Sequence, residues 1–122
     1  MKQLESTIQR NCINWYKRNF PDNYIRKNDQ VTSVGDPDIV ICHCGLFVAI
    51  EMKQPGKHPT PLQKLKLERI SGSGGLVGVA HSLEEFKDII CKAEKQTHHF
   101  EVEEGAPWET SMLKIVGGTT DD

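Results

Sequence analysis

The chain reads as an α/β protein, a central mixed sheet flanked by helices in the order α-β-β-β-α-β-α. Three observations predict this. An apolar stripe at helical spacing opens the chain at Leu4, Ile8, Cys12 and Trp15. Two runs rich in Val and Ile, 39–42 and 46–50, meet at Cys44-Gly45 and read as a hairpin. A capped helical stretch then leads to the short apolar run Leu76-Val77-Gly78-Val79-Ala80. A strand, a crossover helix and a strand in that order give a parallel pair with a right-handed connection. One antiparallel hairpin and one parallel crossover make the sheet mixed.

The first helix spans residues 4–19. Glu5 lies at the edge of its apolar stripe, from where it can reach over the sheet; as a first-turn carboxylate it also suits the helix dipole. Phe20-Pro21-Asp22-Asn23 ends this helix. Residues 24–34 read as a first strand, with Arg26 and Lys27 near its start as candidates for phosphate contact. Gly35-Asp36-Pro37 is turn chemistry leading into the hairpin. After Lys53 comes a stiff loop, Gln54-Pro55-Gly56-Lys57-His58-Pro59, where Lys57 and His58 are further nucleic-acid candidates.

Thr60 suits the N-cap of the second helix, Pro61 its first position, and Gln63 completes a capping box. The helical wheel also turns Gln63 towards Ile70 and Leu67, so a hydrogen bond from it to a metal-bound water or a phosphate is an open alternative. Lys64, Lys66 and Arg69 make this helix basic. Ser71-Gly72-Ser73-Gly74-Gly75 is a flexible link, and no phosphate-loop pattern follows it. Ser82-Leu83-Glu84-Glu85 caps a third helix through about Lys95, with Leu83, Phe86, Ile89, Ile90 and Ala93 inward. Residues 1–95 are expected to form the domain. Residues 96–122 are expected to be an acidic, partly disordered extension, in which Trp108 and the 112–116 segment form one more packed element.

A length of 122 residues fits one domain with one core. Hydrophobic content of 37% and charged content of 26% suit a globular chain in water. No apolar run approaches the roughly 20 residues of a membrane span, and the first residues lack the apolar region of a signal peptide. The expected setting is therefore cytosolic, without a membrane partner. Cys42-His43-Cys44 does not have the spacing of a zinc pair; reduced, mostly buried thiols are the expectation for the four cysteines. The net charge of −2 hides a division. Residues 1–95 hold 14 Lys+Arg and 11 Asp+Glu, a balance of +3, and residues 96–122 hold one Lys and six acids, a balance of −5. A mildly basic body can follow phosphates.

The hairpin carries the chemistry. An even-length turn at Cys44-Gly45 pairs His43 with Leu46, Ile41 with Val48, and Asp38 with Glu51. Alternation then sets Asp38, Val40 and Cys42 on one face with Glu51, Ala49 and Phe47, and Lys53 joins Glu51 two residues on. Ile39, Ile41, Leu46, Val48 and Ile50 share the other face and should be core. Two facing carboxylates repel, and a divalent cation between them relieves the repulsion. Hard oxygen ligands of this kind suit Mg²⁺ or Mn²⁺. A Lys beside such a site can orient a water or steady charge on a phosphate.

Pro37-Asp38 followed by Glu51-Met52-Lys53 resembles the PD-(D/E)XK nuclease signature. With Gly35-Asp36 before it, Gly56 and Gln63 after it, and Glu5 on the first helix, the pattern resembles the VRR-NUC (virus-type replication-repair nuclease) family over residues 4–90. The resemblance implies the nuclease-type α/β sandwich and a Mg²⁺- or Mn²⁺-dependent DNA endonuclease of a bacterial or phage-infected cell. It implies that Asp38, Glu51 and the Met52 carbonyl bind the metal, with Glu5 completing the site directly or through water. Lys53 would position the attacking water and Gln63 would assist. Arg26, Lys27, Lys57, His58 and Lys64 are the candidate DNA contacts. Small stand-alone members look like Holliday junction resolvases, so branched DNA cut by a homodimer is the first expectation. A flap or duplex nicking nuclease, or a non-catalytic DNA-binding module of the same fold, is the alternative.

Overall fold

The computed structural model describes residues 2–28, 34–97, 99–102 and 113–116, with side chains described for 5–28 and 34–97. The elements are α1 (Lys2–Asn19), β1 (Tyr24–Lys27), β2 (Ile39–His43), β3 (Leu46–Met52), α2 (Pro61–Gly72), β4 (Leu76–Ala80), α3 (Leu83–Gln96), β5 (His99–Val102) and β6 (Leu113–Val116). The first seven follow the expected α-β-β-β-α-β-α order. β1 to β4 lie side by side in sequence order; β1–β2 and β2–β3 pair antiparallel, and β3–β4 pair parallel. β5 and β6 form a separate two-stranded antiparallel sheet. The first strand is shorter than the expected 24–34, ending at Lys27. Trp108 and the 117–122 segment fall outside the described residues.

The hairpin register is the even one, with Ile41 opposite Val48 and His43 opposite Leu46. Cys44 (φ 49°) and Gly45 (φ 91°) both take left-handed backbone in the tight turn, the geometry that matches strand twist in a two-residue hairpin. Alternation then fixes the layers. Ile39, Ile41, Val48 and Ile50 join Cys12 and Tyr16 of α1 and Phe86, Ile89, Ile90 and Ala93 of α3 in one buried cluster. Gly78 of β4 lets α3 come close, because a Cβ there would sit 2.5 Å from Ile89. α2 packs on β3 and β4. It also reaches the loop before β2, through Lys66 Nζ to Asp36 Oδ1 at 2.9 Å. Gly35 is required here: its φ is +87°, and a Cβ would meet Leu62 of α2 at 2.6 Å. The sheet thus has α1 and α3 on one face and α2 across part of the other.

A polar group, His43, is buried in the layer between the sheet and α1 and α3. His43 is fully buried; its Nδ1 lies 2.6 Å from the Tyr16 hydroxyl and its Nε2 lies 2.8 Å from Glu94 Oε2. This chain ties the end of the hairpin to both helices and satisfies the imidazole. The cysteines are all free; Cys12 is buried, Cys44 half-buried, and Cys42 and Cys91 are exposed. Mostly buried thiols are therefore not what the fold makes, because Cys42 falls on a part of the sheet that no helix covers.

Candidate active site

Asp38 and Glu51 lie in one row. The β2–β3 pairing of Ile39 with Ile50 continues outward to set Asp38 opposite Glu51. Both side chains share the face beneath α2, and both are buried, Asp38 at 9% exposure and Glu51 at 2%. Asp38 is anchored: its Oδ2 accepts a 2.8 Å hydrogen bond from the Met52 backbone N–H. Its backbone carbonyl accepts a 2.7 Å bond from the Asn28 N–H, which extends the β1–β2 ladder to the same row. Glu51 is the contrast. Its Oε1 is buried without a hydrogen-bond partner among the described residues. Burial first, then the charge of Asp38 and a carboxyl–carboxyl hydrogen bond with it, raise its carboxyl to about 8. Lys53 pulls the other way, and Glu5 raises it further. Glu5, Asp38 and Lys53 therefore all act electrostatically on Glu51, although they come from α1, the residue before β2 and the exit of β3.

Sequence-predicted residues divide on inspection. Lys53 is half-buried, and its backbone N–H donates to the Ala80 carbonyl at 3.0 Å, which holds it at the end of β4. Met52 is buried in the core through its side chain, while its N–H positions Asp38. Glu5 is half-buried. Among the described residues no three His, Cys, Asp or Glu side chains are grouped closely enough to hold an ion, while Glu5 is near enough to raise the Glu51 carboxyl by its charge. Gln63 is occupied in the cap: its Oε1 accepts from the Thr60 N–H at 2.8 Å, and its own N–H donates to Thr60 Oγ1 at 3.2 Å. Of its two readings, the capping box is the one the fold realises, because Thr60 is in extended conformation at the N-cap.

The basic candidates also separate. Arg26 pairs with Val40, which places it on the Asp38 face; Lys27 pairs with Ile39 and points to the other. Both are exposed. His58 and Lys64 line a groove of about 430 Å³ with Pro59, Leu67, Glu68 and Val79. Val79 is the register partner of Glu51, so this groove adjoins the acidic pair. Lys57 is exposed on the same loop, and its carbonyl is held by His81 Nε2 at 2.8 Å. Periodicity gave no hint of that tie. His81 Nδ1 lies 2.8 Å from Glu85 Oε1, so both ring nitrogens face acceptors and the imidazole pKa is raised.

The residues fit a divalent cation. The chemistry of the donor set is two hard carboxylates side by side, and Glu51 Oε1, buried without a partner among the described residues, is an acceptor that a cation would satisfy. Mg²⁺ needs no more protein than one or two carboxylates, since it keeps waters and takes substrate phosphate.

No protein-family model matches the sequence, and no curated protein matches it. Solved structures do. One titled "VRR_NUC domain protein" superposes with a TM-score of 0.67 at 23% identity, covering 77% of this chain and 90% of its own. Another, titled "VRR_NUC domain", gives 0.58 at 24% identity over 71% of this chain and 94% of its own. The mixed four-stranded sheet and its three helices thus belong to a known architecture: this chain has the fold of the VRR_NUC domain.

Proposed function

We propose that the protein is a member of the VRR-NUC family and a Mg²⁺- or Mn²⁺-dependent endonuclease that hydrolyses phosphodiester bonds in DNA. The observation that carries this is the Asp38–Glu51 row, with an unsatisfied buried Glu51 oxygen and Lys53 beside it. Asp38, Glu51 and the Met52 carbonyl would hold the ion, and Glu5 would act through water. When bound, the ion supplies Lewis acidity towards the phosphate and a lowered water pKa. The chain supplies the rest. Met52 N–H keeps the Asp38 carboxylate in place. Lys53, tied at the end of β4, orients a water and steadies charge on the phosphate oxygens. His58 and Lys64 on the adjoining groove, with Lys57 and Arg26 nearby in chain and face, offer contacts to the phosphate backbone.

Branched DNA is the proposed substrate, with the four-way junction first and flap or nicked duplex as competitors, and a homodimer as the acting unit. One small site cuts one strand at a time, and paired incisions need two sites related by a two-fold axis. The test is cleavage of end-labelled four-way junction, flap and linear duplex in Mg²⁺, Mn²⁺ or EDTA, beside Lys53→Met. Metal-dependent cleavage lost in that variant supports the reading. A folded protein that cuts none of these DNAs in either metal refutes it.

A further inference from the structure

α2 leaves part of the Asp38 face open. At the hairpin end, Tyr24, Cys42 and Phe47 form one row across β1, β2 and β3. Tyr24 is 60% and Phe47 47% exposed, and Cys42 between them is exposed too. Single exposed apolar side chains are ordinary on a protein surface. Two aromatics in one row of a sheet, with the residue between them exposed as well, form a flat platform. Arg26 stands one step along the same face from Tyr24. On the other side Phe47 shares a groove of about 320 Å³ with Arg69, Ile70, Ser73 and Gly75. Neither guanidinium makes an ion pair among the described residues, and no carboxylate stands in the Tyr24–Cys42–Phe47 row.

We propose that this open sheet face is a stacking platform for unpaired nucleotides, with bases on Tyr24 and Phe47 and phosphates on Arg26 and Arg69. Aromatic faces accept any base, and flanking cations follow the backbone; this pairing is how sheets hold single strands. The positive charge of Arg26 and Arg69 suits a polyanion, and the two aromatic faces between them suit one that carries bases. The platform is also continuous with the candidate cutting site. Cys42 and Asp38 lie four residues apart on one strand, about 13 Å, or about four nucleotides at the 3.4 Å stacked spacing. A strand lying on Tyr24 and Phe47 therefore leads to the Asp38–Glu51 row along one face. The inference rests on the nuclease reading for that direction, and it adds to that reading a contact for unpaired nucleotides next to the cut.

Binding is measured without cleavage. The full chain in EDTA is titrated into fluorescent oligothymidylate and into blunt duplex, followed by anisotropy. Tyr24→Ala and Phe47→Ala are each expected to weaken oligothymidylate binding by at least about fivefold. Duplex binding should be nearly unchanged, and Tyr24→Phe should bind as the parent does. Both side chains are exposed, so the variants should melt like the parent. As a measurement on the unmutated chain, an iodouracil-substituted strand should photocrosslink to the peptides holding Tyr24 and Phe47. Unchanged affinity in both alanine variants, equal loss on duplex, or crosslinks confined to other peptides would overturn the platform. So would a fall in particle mass on either substitution, which would assign the face to a second copy of the chain. The two readings fail separately. Selective loss of single-strand binding in a protein that cuts nothing keeps the platform and removes the nuclease. Cleavage with parent-like binding in both variants does the reverse.

Discussion

Glu51 is buried with one oxygen unsatisfied, a costly position for a charged carboxylate. Its folded pKa of about 8 stands above the ordinary 4.5. A carboxyl shifted upward favours the fold while protonated. That contribution is complete below about pH 4.5 and is lost as pH rises through about 8. Metal-free protein should therefore lose stability across this window. Glu51→Gln, which mimics the protonated acid, should remove that slope and melt higher at pH 8 by about 1–3 kcal/mol. Calorimetric scans in EDTA check this. The same variant and Asp38→Asn should each bind Mn²⁺ at least about tenfold more weakly by titration calorimetry, since each takes away one hard charged ligand. Lys53 asks for a different outcome. Lys53→Met should abolish cleavage while shifting stability by only about 0–1 kcal/mol, because a half-exposed ammonium contributes little to folding. Parallel melting and cleavage assays separate the two effects.

At the scale of the element, the start of α2 decides how Gln63 is used. Thr60 and Gln63 satisfy one another's backbone N–H groups, and Pro61 needs no partner at the first position. Thr60→Ala and Gln63→Ala should each cost about 0.5–2 kcal/mol. Gln63→Glu, which can also close the box, should retain stability and cleavage. Chemical denaturation and the cleavage assay read both. The loop before α2 has its own fastening. His81 meets Lys57 O and Glu85, and its pKa is raised first by the backbone bond to Lys57 and then by Glu85. Glu85 is lowered in turn by its hydrogen bonds to His81. For a histidine shifted upward, the contribution is present below the ordinary value and lost as pH rises through the folded one; for Glu85 it is lost as pH falls through its own depressed value. The clasp therefore holds between these limits. NMR titration should place His81 above an ordinary histidine. Amide exchange in residues 54–58, corrected for its intrinsic pH dependence, should lose protection on the alkaline side, and His81→Ala should lack that loss.

For the molecule as a whole, charge and assembly set the next test. A body of +3 over residues 1–95 is weak for holding DNA alone. Two copies double that charge and bring two acidic rows into one particle. Light scattering at micromolar concentration should give twice the 13.8 kDa chain mass, with paired nicks on a fixed four-way junction. A monomer cutting junction and duplex equally would leave a general nicking nuclease.

Much of this fold is local in origin and could be read from the chain. Alternation in 38–42 and 46–51 determined the hairpin register, both sheet faces and the facing of Asp38 with Glu51, because the side-chain period of a strand is two and a slip of one residue would expose Ile39, Ile41, Val48 and Ile50. Cap chemistry marked both later helices for the same local reason. What lies over each face is a different matter, since it depends on where distant helices pack. Only the tertiary structure buried His43 between Tyr16 and Glu94 and left Tyr24, Cys42 and Phe47 uncovered. A strand pattern states which residues share a face; coverage of that face is settled by packing between elements far apart in sequence.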